Sequence, residues 1–174
     1  MERIETTILR NLVHNEEYSR KVIPFIEPDY FDNRSEKVIF EEISKFILQY
    51  NSLPTVAALL IEVEKRTDLS DEVYKQTCDA LNSFENIPND KQWLIDTAEK
   101  WCRDRAIYLA LVESISIADG NSEKKGRDAI PSILSDALAV SFDNHVGHDY
   151  LQDYEERYDF YHQTEEKIPF DLDF

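Results

Sequence analysis

His145 and His148, flanked by Asp143 and Asp149, are the residues of this chain that come nearest in type and spacing to a metal site. Imidazole and carboxylate groups hold zinc when several converge at fixed spacing, but here the spacing is loose and no cysteine lies near in sequence. Loop and capping roles are the simpler reading. Glu41-Glu42 and Glu155-Glu156 could suggest a general acid and base. Neighbours on a helix point about 100° apart, so these pairs read instead as solvated faces. A P-loop needs a glycine-rich turn ending in Gly-Lys-Ser or Gly-Lys-Thr, so that backbone amides can cradle phosphates. The three glycines, Gly120, Gly126 and Gly147, are followed by Asn121, Arg127 and His148. No Rossmann fingerprint is present either. The residues therefore assign no catalytic, cofactor-binding or metal-binding site, and an enzyme reading is set aside.

Tyr150, Leu151, Tyr154, Tyr158 and Tyr161 fall on one face of a helix expected to begin near Asp149, with Asp153, Glu155, Glu156 and Asp159 behind them. Aromatic rings can stack bases, but the acidic backing repels a phosphate backbone. The stripe reads as a docking surface for protein. The whole chain carries the same sign: 19 Lys and Arg stand against 36 Asp and Glu, a net charge of −17. The densest basic cluster, Lys124, Lys125 and Arg127, has no aromatic residue beside it. Direct nucleic-acid binding is not expected.

The elements that must position these residues are helical. With 3 Gly and 6 Pro in 174 residues, turn residues are too few for a sheet protein of this length. Ile4, Ile8, Leu9, Leu12 and Val13 share a face over residues 3–14, and a short helix from Glu16 to Ile23 runs into Pro24 and Pro28. From Arg34 to Tyr50, Ile39, Phe40, Ile43, Phe46, Ile47 and Tyr50 keep the helical period. Thr55 is a predicted N-cap for a helix carrying Val56, Leu59, Leu60 and Val63. Ser70 and Asp71 open another with Val73, Ala80, Leu81 and Phe84, running toward Pro88. Residues 1–88 thus predict a bundle of short helices.

Asp90 to Ala118 contains no Gly or Pro and predicts one helix of about 40 Å. Leu94, Ala98, Trp101, Tyr108, Val112 and Ile115 form a heptad-like stripe interrupted by Arg105, while Ile107, Leu111 and Ile117 add apolar residues on other faces. A helix apolar on more than one side must be covered on more than one side. Asp119-Gly120 ends it. Asp128 is the expected cap of a further helix with Pro131 in its first turn, carrying Ile130, Ile133, Leu134, Ala137, Leu138 and Val140 to about Phe142. Residues 90–143 then form a helical hairpin. Trp101, Tyr108, Leu111, Val112, Ile115, Ile133, Leu134 and Leu138 are its candidate self-association residues. The alternative is a hairpin folded back on the bundle of a monomer.

After the hairpin come a separate linker helix over 144–166, with Gly147 as a joint near its start, and the alternating run Lys167 to Phe174, which reads as the start of a strand. A lone strand is unstable, so a further domain is expected to follow. Cys78 and Cys102 lie far apart and no signal peptide is read at the start, which suits a reducing cytoplasm. No window approaches the roughly 18 consecutive apolar residues of a membrane span.

Ala129-Ile130-Pro131, Ala137-Leu138, Ser141-Phe142-Asp143, Val146-Gly147-His148-Asp149, Asp153-Tyr154-Glu155, Arg157 and Lys167-Ile168-Pro169-Phe170 resemble the linker region of T-even-type phage replicative DNA helicases. Ile8-Leu9, Leu12, Tyr18, Val22, Pro24, Tyr30-Phe31, Phe40, Ile43, Tyr50 and Pro54 resemble the amino-terminal domain of DnaB-like helicases in general. The resemblance implies a collar domain that associates through helical hairpins, as a dimer or around a hexameric ring, and that engages primase and a helicase loader. It implies that Tyr150, Leu151, Tyr154, Tyr158 and Tyr161 dock on the motor domain of a neighbouring subunit. It further implies that a RecA-type motor binding ATP and Mg follows Lys167 to Phe174, making the parent an ATP-dependent helicase in the cytoplasm of an infected bacterial host. A different class remains open: a free-standing acidic adaptor that binds other proteins.

Overall fold

The computed structural model describes residues 3–120 and 125–142, all within one unit, Met1–Phe142. The expected linker helix with its tyrosines, the His145 and His148 pair and the expected strand at 167–174 lie outside the described residues. Seven α-helices and three short 3-10 turns make up what is described, with no strand among those residues. The fold is all-α, a small helical bundle followed by a long helix and its return.

Helix α1 (Ile4–His14) buries Ile8, Leu9 and Leu12 completely. Helix α2 (Glu16–Val22) starts where the side chain of Asn15 accepts the Tyr18 amide at 3.0 Å. Pro24 and Pro28 cannot donate a backbone hydrogen bond, and each sits in a 3-10 turn, Ile23–Phe25 and Pro28–Tyr30. Helix α3 (Arg34–Tyr50) is capped by Asn33, whose side chain accepts from the Ser35 amide at 2.9 Å. It ends at Asn51, which adopts the left-handed region at φ 50°. Asparagine tolerates that conformation better than most residues.

Two of the caps read from sequence are present. Thr55 Oγ1 accepts from the Ala58 amide at 3.1 Å to open α4 (Val56–Glu64). Ser70 Oγ accepts from the Val73 amide at 3.3 Å to open α5 (Asp71–Asn82). The expected run of α5 toward Pro88 is shorter, because Ser83 Oγ donates to the Ala80 carbonyl at 2.6 Å. The chain then turns so that Phe84 is buried and its carbonyl meets His14 Nε2 at 3.2 Å.

Helix α6 (Lys91–Ala118) is unbroken over 28 residues, as the absence of Gly and Pro permits. Asp90 caps it through the Trp93 amide at 2.8 Å, and Gly120 at φ 78° closes its far end. Asp128 does not cap the last helix. A 3-10 turn over Arg127–Ala129 intervenes, and α7 (Ile130–Leu138) begins after Ala129 without a side-chain cap. Nor does α7 reach Phe142. The Val140 carbonyl accepts from Arg103 Nε at 3.1 Å and Ser141 Oγ donates to Glu99 at 3.1 Å. Phe142 is buried against the Phe25 ring, centroids 4.8 Å apart. These anchors hold residues 140–142 against neighbouring elements.

The core is one cluster drawn from α1 to α7 and the turns between them. Tyr18, Val22, Val38, Ile39, Ile43, Leu59, Val63 and Leu81 have no exposed surface, and α6 contributes Leu94, Ala98 and Cys102 to the same cluster. Each large aliphatic side chain buried in this way contributes roughly 1.5–3 kcal/mol of hydrophobic stabilisation. The part of α6 up to Cys102 is thus a sixth element of the bundle. Burial pushes the Cys102 thiol up to about 12, with Glu99 adding to the shift, so it stays protonated.

Candidate self-association surface

Helix α6 changes its covered face along its length. From Leu94 to Cys102 it lies in the bundle core, where Trp101 packs edge-on to Tyr30 at 6.0 Å and tilted against Phe31 at 5.1 Å. From Ala106 onward the buried positions are Ala106, Ala110, Ser114 and Ile117. At about 100° per residue these four fall within a quarter turn of one another. Three are small, which lets another helix approach closely.

Helix α7 packs against α6 and runs antiparallel to it. Arg127 near the start of α7 donates to the Ala118 carbonyl at 2.9 Å, while Val140 beyond its end accepts from Arg103. The two helices thus fold back on each other. Ala137 is buried within it, and Ile133 and Leu134 are partly buried against the core.

Tyr108, Leu111, Val112 and Ile115 occupy the opposite side of α6, roughly half a turn from its small-residue face. Each is between 47% and 61% exposed. Their spacing of three, one and three residues makes a continuous apolar stripe, each member about half exposed. Leu138 is also exposed, on α7. Of the eight hairpin residues singled out from sequence, the structure thus brings four together as an open stripe and leaves Leu138 bare on the neighbouring helix. It places Ile133 and Leu134 in the packing between elements. Trp101 belongs to the core, 8% exposed, because Tyr30 and Phe31 reach it from the turn before α3.

Arg105, which reads in sequence as an interruption of the stripe, has a place of its own. Its Nη2 lies 2.5 Å from Asp32 Oδ1, and its guanidinium stands 5.0 Å from the centroid of the Tyr108 ring. Asp32 carried no signal in the sequence, since nothing in its spacing links it to a residue 73 positions away.

Another group of charged residues joins two elements of the bundle. Glu41 and Glu42 are not a solvated pair: Glu42 is buried, and Arg66 Nη1 reaches Glu41 at 2.7 Å and Glu42 at 3.2 Å. Arg66 also holds Asp68 at 2.6 Å, and that hydrogen bond keeps the Asp68 carboxyl at about 2. These contacts tie α3 to the turn after α4. Among the described residues no group of three His, Cys, Asp or Glu could hold a metal ion. No helix of the described residues is long and apolar enough to cross a membrane.

A helical bundle extended by a hairpin with one bare apolar edge has the build of a protein-association module. The chain is 32% identical over 173 residues, 95% of its own length, to the DnaB-like replicative helicase of Enterobacteria phage T4. This similarity shows the resemblance to the DnaB-like replicative helicases that the residues themselves carry. The chain spans 36% of the length of that relative. No family model matches it.

Proposed function

We propose that this chain is the collar and linker part of a replicative DNA helicase, and that it acts by assembling copies of itself and by contacting primase and a helicase loader. The observation that carries the reading is the open stripe Tyr108, Leu111, Val112 and Ile115, set opposite a face already used by α7. Leaving four large apolar side chains in water forgoes their burial, which a second copy presenting the same stripe would recover. The similarity to a replicative helicase supports self-association in general, and the stripe is the surface this reading assigns to it. In this reading the ATP- and Mg-dependent motor lies outside these residues, and residues 144–166 dock on a neighbouring motor domain.

The test is the solution mass of the 174-residue chain across a concentration series, alongside Leu111→Asp. Wild-type dimers or rings that the substitution dissolves support the reading. A wild-type monomer at high concentration overturns it.

A further inference from the structure

Tyr108 sits at one end of the open stripe, over half exposed, and an exposed ring on a helix ordinarily samples several rotamers. Here it has a neighbour that restrains it. The Arg105 guanidinium lies 5.0 Å from the ring centroid, within the range at which a cation is attracted to an aromatic face. Arg105 is itself held, because its side chain is only 16% exposed and Nη2 meets Asp32 Oδ1 at 2.5 Å. Asp32 stands immediately after Phe31, one of the rings that bury Trp101. The chain of contacts therefore runs from the bundle core through Asp32 and Arg105 to the ring of Tyr108.

We propose that Arg105 is a positioning residue for self-association: clamped by Asp32, it fixes the Tyr108 ring in the orientation that a second copy of this chain meets. The inference rests on the self-association reading and adds to it the device that prepares the surface. A pre-ordered ring loses less rotamer freedom on docking than a free one, so the clamp strengthens association without touching the partner. It also explains why the one charge in the stripe is an arginine. Its planar cation can pair with a carboxylate and lie against an aromatic ring at once.

The experiment is the self-association constant of the full 174-residue chain, measured by sedimentation, with the thermal midpoint recorded for each variant. Arg105→Met and Asp32→Asn are each expected to weaken association about fivefold, the scale of a partly exposed cation–ring contact. Tyr108→Phe, which keeps the ring, should associate like wild type. The deciding comparison is Arg105→Met made in a Tyr108→Ala background, where it should have no further effect on association. An equal loss in both backgrounds, or no loss in either, overturns the clamp while leaving self-association standing. A wild-type chain that stays monomeric overturns both.

Discussion

The Trp101 indole meets the Tyr30 ring edge-on, with centroids 6.0 Å apart and planes at 81°. This contact, with Phe31 on the tilted side, fastens α6 to the turn that precedes α3. Trp101→Ala would open a cavity at that junction, and a cost of about 3–5 kcal/mol is expected from the loss of a buried indole. Chemical denaturation measures it. A loss below 1 kcal/mol would mean that Trp101 contributes little to the core.

Leu111→Asp offers the contrasting case. The side chain is 47% exposed, so folding stability should move by no more than about 0.5 kcal/mol while association is lost. Thermal melts at a concentration where the wild type is monomeric separate the two effects. A large drop in the midpoint there would place Leu111 in the core of the fold.

Each copy carries a net charge of −17, so two copies repel as they approach. Salt shortens the screening length from about 10 Å at 0.1 M to about 3 Å at 1 M, and apolar contacts do not depend on ion pairing. Association should therefore tighten as sodium chloride is raised. Sedimentation at several salt concentrations reads this directly; weakening with salt would show that ion pairs rather than the apolar stripe hold the copies together.

Glu36 is buried beside Arg3, whose guanidinium lies 3.3 Å from Oε1. Burial raises its carboxyl above the ordinary 4.5 and outweighs the lowering by Arg3, with Glu5 and Asp32 adding to the rise. The fold thus favours the protonated form. Stability from this group is fully present below its ordinary value and is lost as pH rises through the folded one. Glu36→Gln should accordingly be more stable than wild type near neutral pH, with the difference vanishing below 4.5. Melting curves across that range check the sign.

The two thiols should separate in reactivity. Cys78 is partly exposed, whereas Cys102 is buried and pushed up to about 12. Reactivity needs the thiolate and access to it, so a thiol reagent should modify Cys78 in the native protein and reach Cys102 only on unfolding. Rapid modification of both would show that the first part of α6 opens readily.

Much of the helical plan follows from local chemistry. Thr55 and Ser70 cap because a short hydroxyl side chain can reach an amide three residues on, and Lys91 to Ala118 stays helical because nothing in it breaks the backbone pattern. Where a segment ends by a long-range anchor, local chemistry is silent. Val140 and Phe142 leave the helical path to meet Arg103 and Phe25, and periodicity carries no trace of either partner.

The stripe on α6 shows the same division most plainly. Leu94, Trp101, Tyr108 and Ile115 repeat every seven residues, and the sequence determines that they lie along one side of one helix. It does not distinguish Trp101 from Tyr108. Only the tertiary structure does, because the bundle is shorter than the helix: Tyr30 and Phe31 reach Trp101, whereas two turns further on Tyr108 stays over half exposed with the Arg105 guanidinium over its ring. An apolar pattern along one helix says which positions need a cover, and the distance over which neighbouring elements extend decides which of them receive it.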